Sequence, residues 1–251
     1  TLPLPEHPLR QRLNDEVHAR PPMAITGPEW ISYLAILHGE DSSATQEETH
    51  LHALCKRLGS DICPVIQGDH WSMEAGDLRL KWERHNEFSS YTFFRRRPLH
   101  EDPAGQSALD ALPADWLQAI PGTLIAATHV DFRTAAEMPP EQVLEDLHQR
   151  GESTVATRVA DGAAWVFSDF HLHGGFSRFL VIDERLRHRQ AGRTVQRLLE
   201  IETYRMMALL AFPVAKSVAA SLGEAENELA TLMDRMGEAR QPEDERQLLG
   251  Q

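Results

Sequence analysis

The sequence predicts an α+β fold: two β-α-β-β-β halves forming mainly antiparallel sheet, then a long C-terminal helix kinked near Pro213. Three observations predict it. Short apolar–polar alternations bounded by turn residues come in threes, near 70–96 and again near 153–182. Each set follows an apolar, strand-like run and a segment of helical period. From about Arg185 onward the period becomes helical and stays so.

The elements follow in order. Leu9, Leu13 and Val17 recur at helical spacing and give a short N-terminal helix started near Pro8. Arg20-Pro21-Pro22 ends it, because proline has no N–H and disfavours helix in the residue before it. Trp30 to Leu37 reads as a largely buried strand. Ser43 with Gln46 resembles a capping box, and Leu51, Leu54, Cys55 and Leu58 line one face of the helix behind it. Strands near His70–Glu74, Leu78–His85 and Ser90–Arg96 come next, separated by Gly76-Asp77 and Asn86-Glu87.

The same order then recurs. Thr123 to Phe132 is an apolar strand, and Pro139 and Pro140 open a helix whose inner face is Val143, Leu144 and Leu147. Ser153–Val159, Ala164–Phe170 and Phe176–Ile182 are again three strands, with turns at Asp161-Gly162 and Gly174-Gly175. The pattern reads as an internal duplication, although no residue identity carries it. Beyond Pro213, Val214, Val218, Leu222, Ala225, Leu229, Leu232 and Met236 make a coiled-coil-like seam. The expected layout is a first half at 1–97, a connector at 98–121 and a second half at 122–184. The long helix then takes 185–237 and a disordered tail 238–251.

Bulk properties narrow the function classes. The formal net charge of −13 opposes generic binding to nucleic acid. Arg95, Arg96 and Arg97 form the one dense basic patch, which a solvated strand end also explains. The two cysteines, Cys55 and Cys63, match no zinc spacing and read as buried thiols of a reducing compartment. Thr1 stands where an initiator Met is expected, which suggests a trimmed chain or a piece of a longer one. The apolar run Met206 to Phe212 is far shorter than the roughly 20 residues of a membrane span. The expectation is a soluble chain.

Four segments carry a family likeness. They are Asn14 to Pro22, Lys81 to Phe88 with Tyr91-Thr92-Phe93, Gly175 to Val181, and Gln190-Ala191-Gly192-Arg193 continuing into Gln196 to Arg205. Together they resemble the bacterial family catalogued as domain of unknown function 3422, over most of the chain from about His7 to Leu232. Its layout is similar to that of the required-for-meiotic-nuclear-division family. The resemblance implies a longer protein with further helices and a hydrophobic C-terminal anchor. By that implication this chain is a cytoplasmic head tethered to the inner membrane through a segment it does not itself contain.

Candidate chemistry comes from strand alternation. Glu83 and His85 share one strand face, and His129, Asp131 and Arg133 share another. If the halves pair through their sheets, these side chains converge and can hold a metal or run acid–base chemistry. A solvated face with cross-strand ion pairs has the same pattern. His171 and His173, beside Asp169, point the same way if they lie on a strand and can chelate a metal ion; an exposed hairpin tip is the plainer reading. His50 and His52 lie on a helix and do not face each other. Glu16 and His18 read as part of a helix end, and Glu200, Glu202 and Arg205 as surface pairs or a buried network.

No phosphate loop, nucleophile elbow, metalloprotease helix or dinucleotide fingerprint is present in the sequence, so no enzyme class and no cofactor is indicated. The leading expectation is a non-catalytic binding, assembly or sensory head. Its helix would pair with a second copy or with downstream helices. A metal-binding or acid–base enzyme built on the His/carboxylate cluster is the first alternative, and a small-ligand sensor with a cleft between the halves the second.

Overall fold

Strand β1 (Glu29–Leu37) has the composition of a central strand, aromatic and branched without glycine or proline, and it is buried almost throughout. The computed structural model describes residues 7–8, 10, 21–39, 43–59, 68–97, 106–151 and 153–238. The expected N-terminal helix, with Glu16 and His18, lies outside them, as do Cys63 and the tail. The chain divides into two compact units, Thr1–Thr203 and Tyr204–Gln251.

In the first unit β1 is followed by helix α1 (Ala44–Arg57) and strands β2 (His70–Ala75), β3 (Leu78–Arg84) and β4 (Phe88–Arg96). A 3-10 turn (Ala108–Ala111) and helix α2 (Ala114–Gln118) lead to β5 (Thr123–Thr134) and helix α3 (Pro140–Arg150). Strands β6 (Val155–Val159), β7 (Ala164–Ser168), β8 (Leu172–His173) and β9 (Phe176–Asp183) precede helix α4 (His188–Leu209). One nine-stranded sheet runs β2-β3-β4-β1-β5-β9-β7-β6, with β8 paired to β9. Every pairing is antiparallel except β5 with β9.

The two halves therefore share one sheet and the same spatial order of strands, outward from β1 and from β5. Their directions differ: β4 runs antiparallel to β1, whereas β9 runs parallel to β5. The seam is the β1–β5 pair, where Ser32 faces His129 and Trp30 faces Asp131. A bulge between Ala35 and Ile36 bends it. Gly122 sits against this bulge with φ of 113°, where a Cβ would stand 2.6 Å from Ile36 Cγ2. Glycine is required there.

Alternation along these registers gives the sheet two faces. On one, Trp71, Met73, Leu78, Leu80, Trp82, Tyr91, Phe93, Trp30, Leu34 and Ala127 form the main core with Leu51, Leu54 and Cys55 of α1. The expected connector is part of that core. Ala108, Leu112 and Trp116, spaced four apart, are buried in it, and Trp116 stacks on His50 at 4.4 Å. Cys55 is buried and disulfide-bonded, which corrects the expectation of a buried thiol at that position. Cys63 is the one other cysteine of the chain.

Helix α1 opens with the anticipated capping box, Ser43 and Gln46 exchanging hydrogen bonds. Its first turn also carries Glu47, a buried carboxylate that sequence alone gave no reason to single out. Glu47 accepts hydrogen bonds from Trp82 Nε1 at 3.0 Å and Ser89 Oγ at 2.6 Å and pairs with Arg84, while His38 Nε2 lies 3.7 Å away. A buried charge held by that many donors ties α1 to β3 and β4.

On the other sheet face lies α4, through buried Ala191, Gly192, Val195, Leu199, Glu202 and Thr203. Thr203 Oγ1 donates to Tyr33 OH at 2.9 Å, and Ser177 Oγ donates to Glu202 at 2.7 Å. In the second unit the helix bends at Leu210, and α5 (Ala211–Glu238) begins. The bend falls three residues before Pro213, the turn in which a proline ring crowds the preceding carbonyls and withholds an N–H. Leu209, Phe212, Val214, Val218, Leu222 and Leu229 of this segment are exposed.

Candidate functional site

A cleft of about 790 Å³ opens on the first sheet face where the two halves meet. Its floor is β1, β5 and β9, one wall is α3 with Val143 and Leu147, and the other is the 3-10 turn with Ser107, Leu109 and Asp110. The parallel β5–β9 pairing sets His129 beside Arg178 and Asp131 beside Leu180, so β5 presents His129, Asp131 and Arg133 along the floor. The structure thus brings together three of the residues expected from alternation, and places His173 at the same cleft.

Each charged group has a defined setting. His129 Nδ1 is 2.9 Å from Ser32 Oγ, which is fully buried, and the ring stacks on Phe176 at 3.9 Å. Burial, and then the neighbouring Arg178 cation, push its pKa down to about 4, so the imidazole is neutral at pH 7. Asp131 is clamped between Arg97 at 3.1 Å and Arg133 at 2.8 Å. Asp110 accepts from the Ser107 N–H at 2.7 Å. The Arg178 side chain is exposed and makes no hydrogen bond or ion pair among the described residues. It was not a sequence candidate, although its place two residues after Phe176 in the third family segment marked it.

Glu83 and His85 do not join them. The register from β3 through β4 and β1 to β5 puts Glu83 on the sheet face covered by α4, opposite His129. There Glu83 pairs with Lys81 at 2.8 Å, and Lys81 reaches Gln196, which donates to Glu200 at 2.7 Å. With Ser177–Glu202 this makes Glu200 and Glu202 members of a sheet–helix network. Burial raises the pKa of Tyr33 in the same layer. His85 lies past the end of β3, stacked on Phe88 at 4.2 Å. The expected convergence of Glu83 and His85 with His129, Asp131 and Arg133 is corrected accordingly.

His171 precedes strand β8 and His173 lies within it, and both turn to Asp169. His173 Nε2 is 2.6 Å from its carboxylate, and the His171 N–H donates to the other oxygen at 3.0 Å. These bonds, the backbone one foremost, hold the Asp169 carboxyl below the usual range. Phe170, between Asp169 and His171, has φ of 55°, a rare conformation for a bulky side chain. Among the described residues no three His, Cys, Asp or Glu side chains group as metal ligands would. Two members of the arginine patch are engaged internally: Arg95 pairs with Asp77 and Arg97 with Asp131, and both lie over the Trp30 ring at 5.8 and 5.2 Å, whereas Arg96 is exposed.

The profile of the family described as "Protein of unknown function (DUF3422)" matches residues 5–251, and the chain belongs to that family. No curated protein and no solved structure matches it.

Proposed function

We propose that this member of the DUF3422 family is a non-catalytic binding or sensory head that takes a small ligand into the cleft between its halves. The observation that supports it most is the cleft itself. Its volume lies inside the 300–1,000 Å³ range typical of small-molecule sites, and apolar walls surround a few convergent polar groups. The acid–base or metal alternative through Glu83, His85, His129 and Asp131 loses its support, because Glu83 and His129 stand on opposite faces of the sheet. A thermal-shift screen of small metabolites tests the reading. A compound present at 100 times its Kd adds about 2.7 kcal/mol to stability. For a chain of this size that is a rise in Tm of about 5–10 °C. Val143→Trp, which fills the cleft, should abolish the shift. A screen in which Val143→Trp responds to every hit as wild type does would remove the cleft from consideration.

We assign α5 to assembly with a second copy of this chain. Within His188–Asp234 an 18-residue window reaches a mean hydropathy of 1.5, so length and composition alone also permit a membrane span. The apolar stretch contains Lys216, however, and a Lys at a bilayer centre costs about 2.5–3.5 kcal/mol. Glu224, Glu226, Glu228 and Asp234 then keep the following turns water-facing. A partner helix covers Val214, Val218, Leu222 and Leu229 without that cost. This reading places membrane attachment in chain outside these residues. Light scattering should report a dimer or higher species that Leu222→Glu dissociates; a monomer at high concentration contradicts it.

A further inference from the structure

We infer that the cleft is built for an amphipathic organic anion, its acidic head on Arg178 and His129 and its apolar body against Val143, Leu147, Phe167 and Phe176. The inference rests on the cleft being a binding site and adds the class of its occupant.

The charge inventory carries it. Three acids line the cleft, Asp110, Asp131 and Asp169, and each is already engaged. Asp131 has two guanidinium partners, Asp169 holds His173 and the His171 N–H, and Asp110 caps the Ser107 N–H. Of the cations, Arg133 is spent on Asp131, whereas the Arg178 side chain is exposed with no hydrogen bond or ion pair among the described residues. Each of the three carboxylates already accepts a hydrogen bond from the protein, whereas an incoming anion meets an uncommitted guanidinium.

His129 extends the same subsite. It is the register partner of Arg178 on the adjacent strand, and its Nδ1 is taken by Ser32. The second ring nitrogen has no partner among the described residues. With Ser32 donating its hydroxyl proton to Nδ1, that second nitrogen carries the hydrogen and donates toward a bound oxyanion. The Phe176 ring stacked on His129 begins the apolar wall, which Phe167, Val143 and Leu147 continue. A guanidinium and an N–H at one end of an apolar trough select an acid with a hydrocarbon or aromatic body. A carboxylate or a phosphate monoester satisfies the head equally.

Calorimetry on the intact chain with octanoate, octyl phosphate, octanol and octylamine tests this. Octanoate or octyl phosphate should bind at least tenfold more tightly than octanol and octylamine, and the stronger of the two identifies the head group. Arg178→Gln, at an exposed position that spares the fold, should weaken the anions about 10- to 100-fold, the worth of a charge-assisted hydrogen bond. Arg178→Lys should restore part of that loss. Association with the apolar surface of α5 is untouched by Arg178→Gln, so the loss locates the site. Octanol or octylamine binding wild type as tightly as the anions, but not Val143→Trp, overturns the anion class and leaves the cleft standing. No binding by any of the four probes overturns the anion class, while the metabolite screen decides the cleft separately.

Discussion

Replacing Gly192 with alanine should destabilise the protein, although helix propensity argues the reverse. In a helix interior glycine is about 0.8–1.0 kcal/mol worse than alanine, so the substitution would stabilise α4 if space allowed. Space does not allow it. A Cβ at this position would overlap Met23 O and stand 2.9 Å from Met23 C and 3.6 Å from Ala24 Cα. These are backbone atoms, fixed by the Ile25 N–H bond to His188 O at 3.1 Å and by Arg79 donating to Ala24 O at 2.8 Å. Relief requires α4 to move off the segment before β1, and such overpacking costs about 1–3 kcal/mol or more. Where that cost exceeds the propensity gain, the net effect is a loss reaching about 2 kcal/mol, a fall in Tm of about 4–8 °C. Gly223 of α5 is the internal control, because a Cβ there meets nothing within 4 Å. Gly223→Ala should raise the stability of that helix by up to about 1 kcal/mol. Denaturant melts followed by circular dichroism read both. A Gly192→Ala protein more stable than wild type would refute the packing of α4 described above.

Three further outcomes are expected. Glu47→Ala strands the donors of Trp82, Ser89 and Arg84 and should cost about 3–5 kcal/mol in chemical denaturation, while a loss below about 1 kcal/mol would mean the network is not closed. His129 has its folded pKa lowered from 6.5 to about 4, so between those values the unfolded chain binds a proton that the folded chain refuses. Its share of stability is full above pH 6.5 and declines as pH falls toward 4; on going from pH 7 to 4.5, His129→Gln should lose about 2 kcal/mol less than wild type, and equal losses would contradict the burial of this imidazole. Ser177→Ala leaves the buried Glu202 short of one donor and should cost about 1–3 kcal/mol, measured by the same melts; no change would show the Ser177 bond to be dispensable.

Periodicity made the element order legible, because strand alternation and helical spacing are local properties. It also revealed that His129, Asp131 and Arg133 share a face. What it could not supply was the relation between faces of distant strands. Whether Glu83 lies on the His129 side depends on three successive registers, each set by packing over dozens of residues. Ala108, Leu112 and Trp116 did carry a four-residue spacing, but Pro, Ala and Asp around them read as linker. Glu47 carried no local signal, since its partners are 35 to 42 residues away. Pro213 announced the bend, which falls at Leu210. Arg178 was hidden for a different reason: its meaning lies in lacking a partner, and a sequence does not state which charges are paired.

Methyl and amide NMR of the intact chain during an octanoate titration is the most direct test of the cleft. The account predicts saturable shifts at Val143, Leu147, Phe176 and Arg178, and a midpoint about 10- to 100-fold higher in Arg178→Gln. Shifts confined to residues 206–234, or unchanged by that substitution, would contradict it.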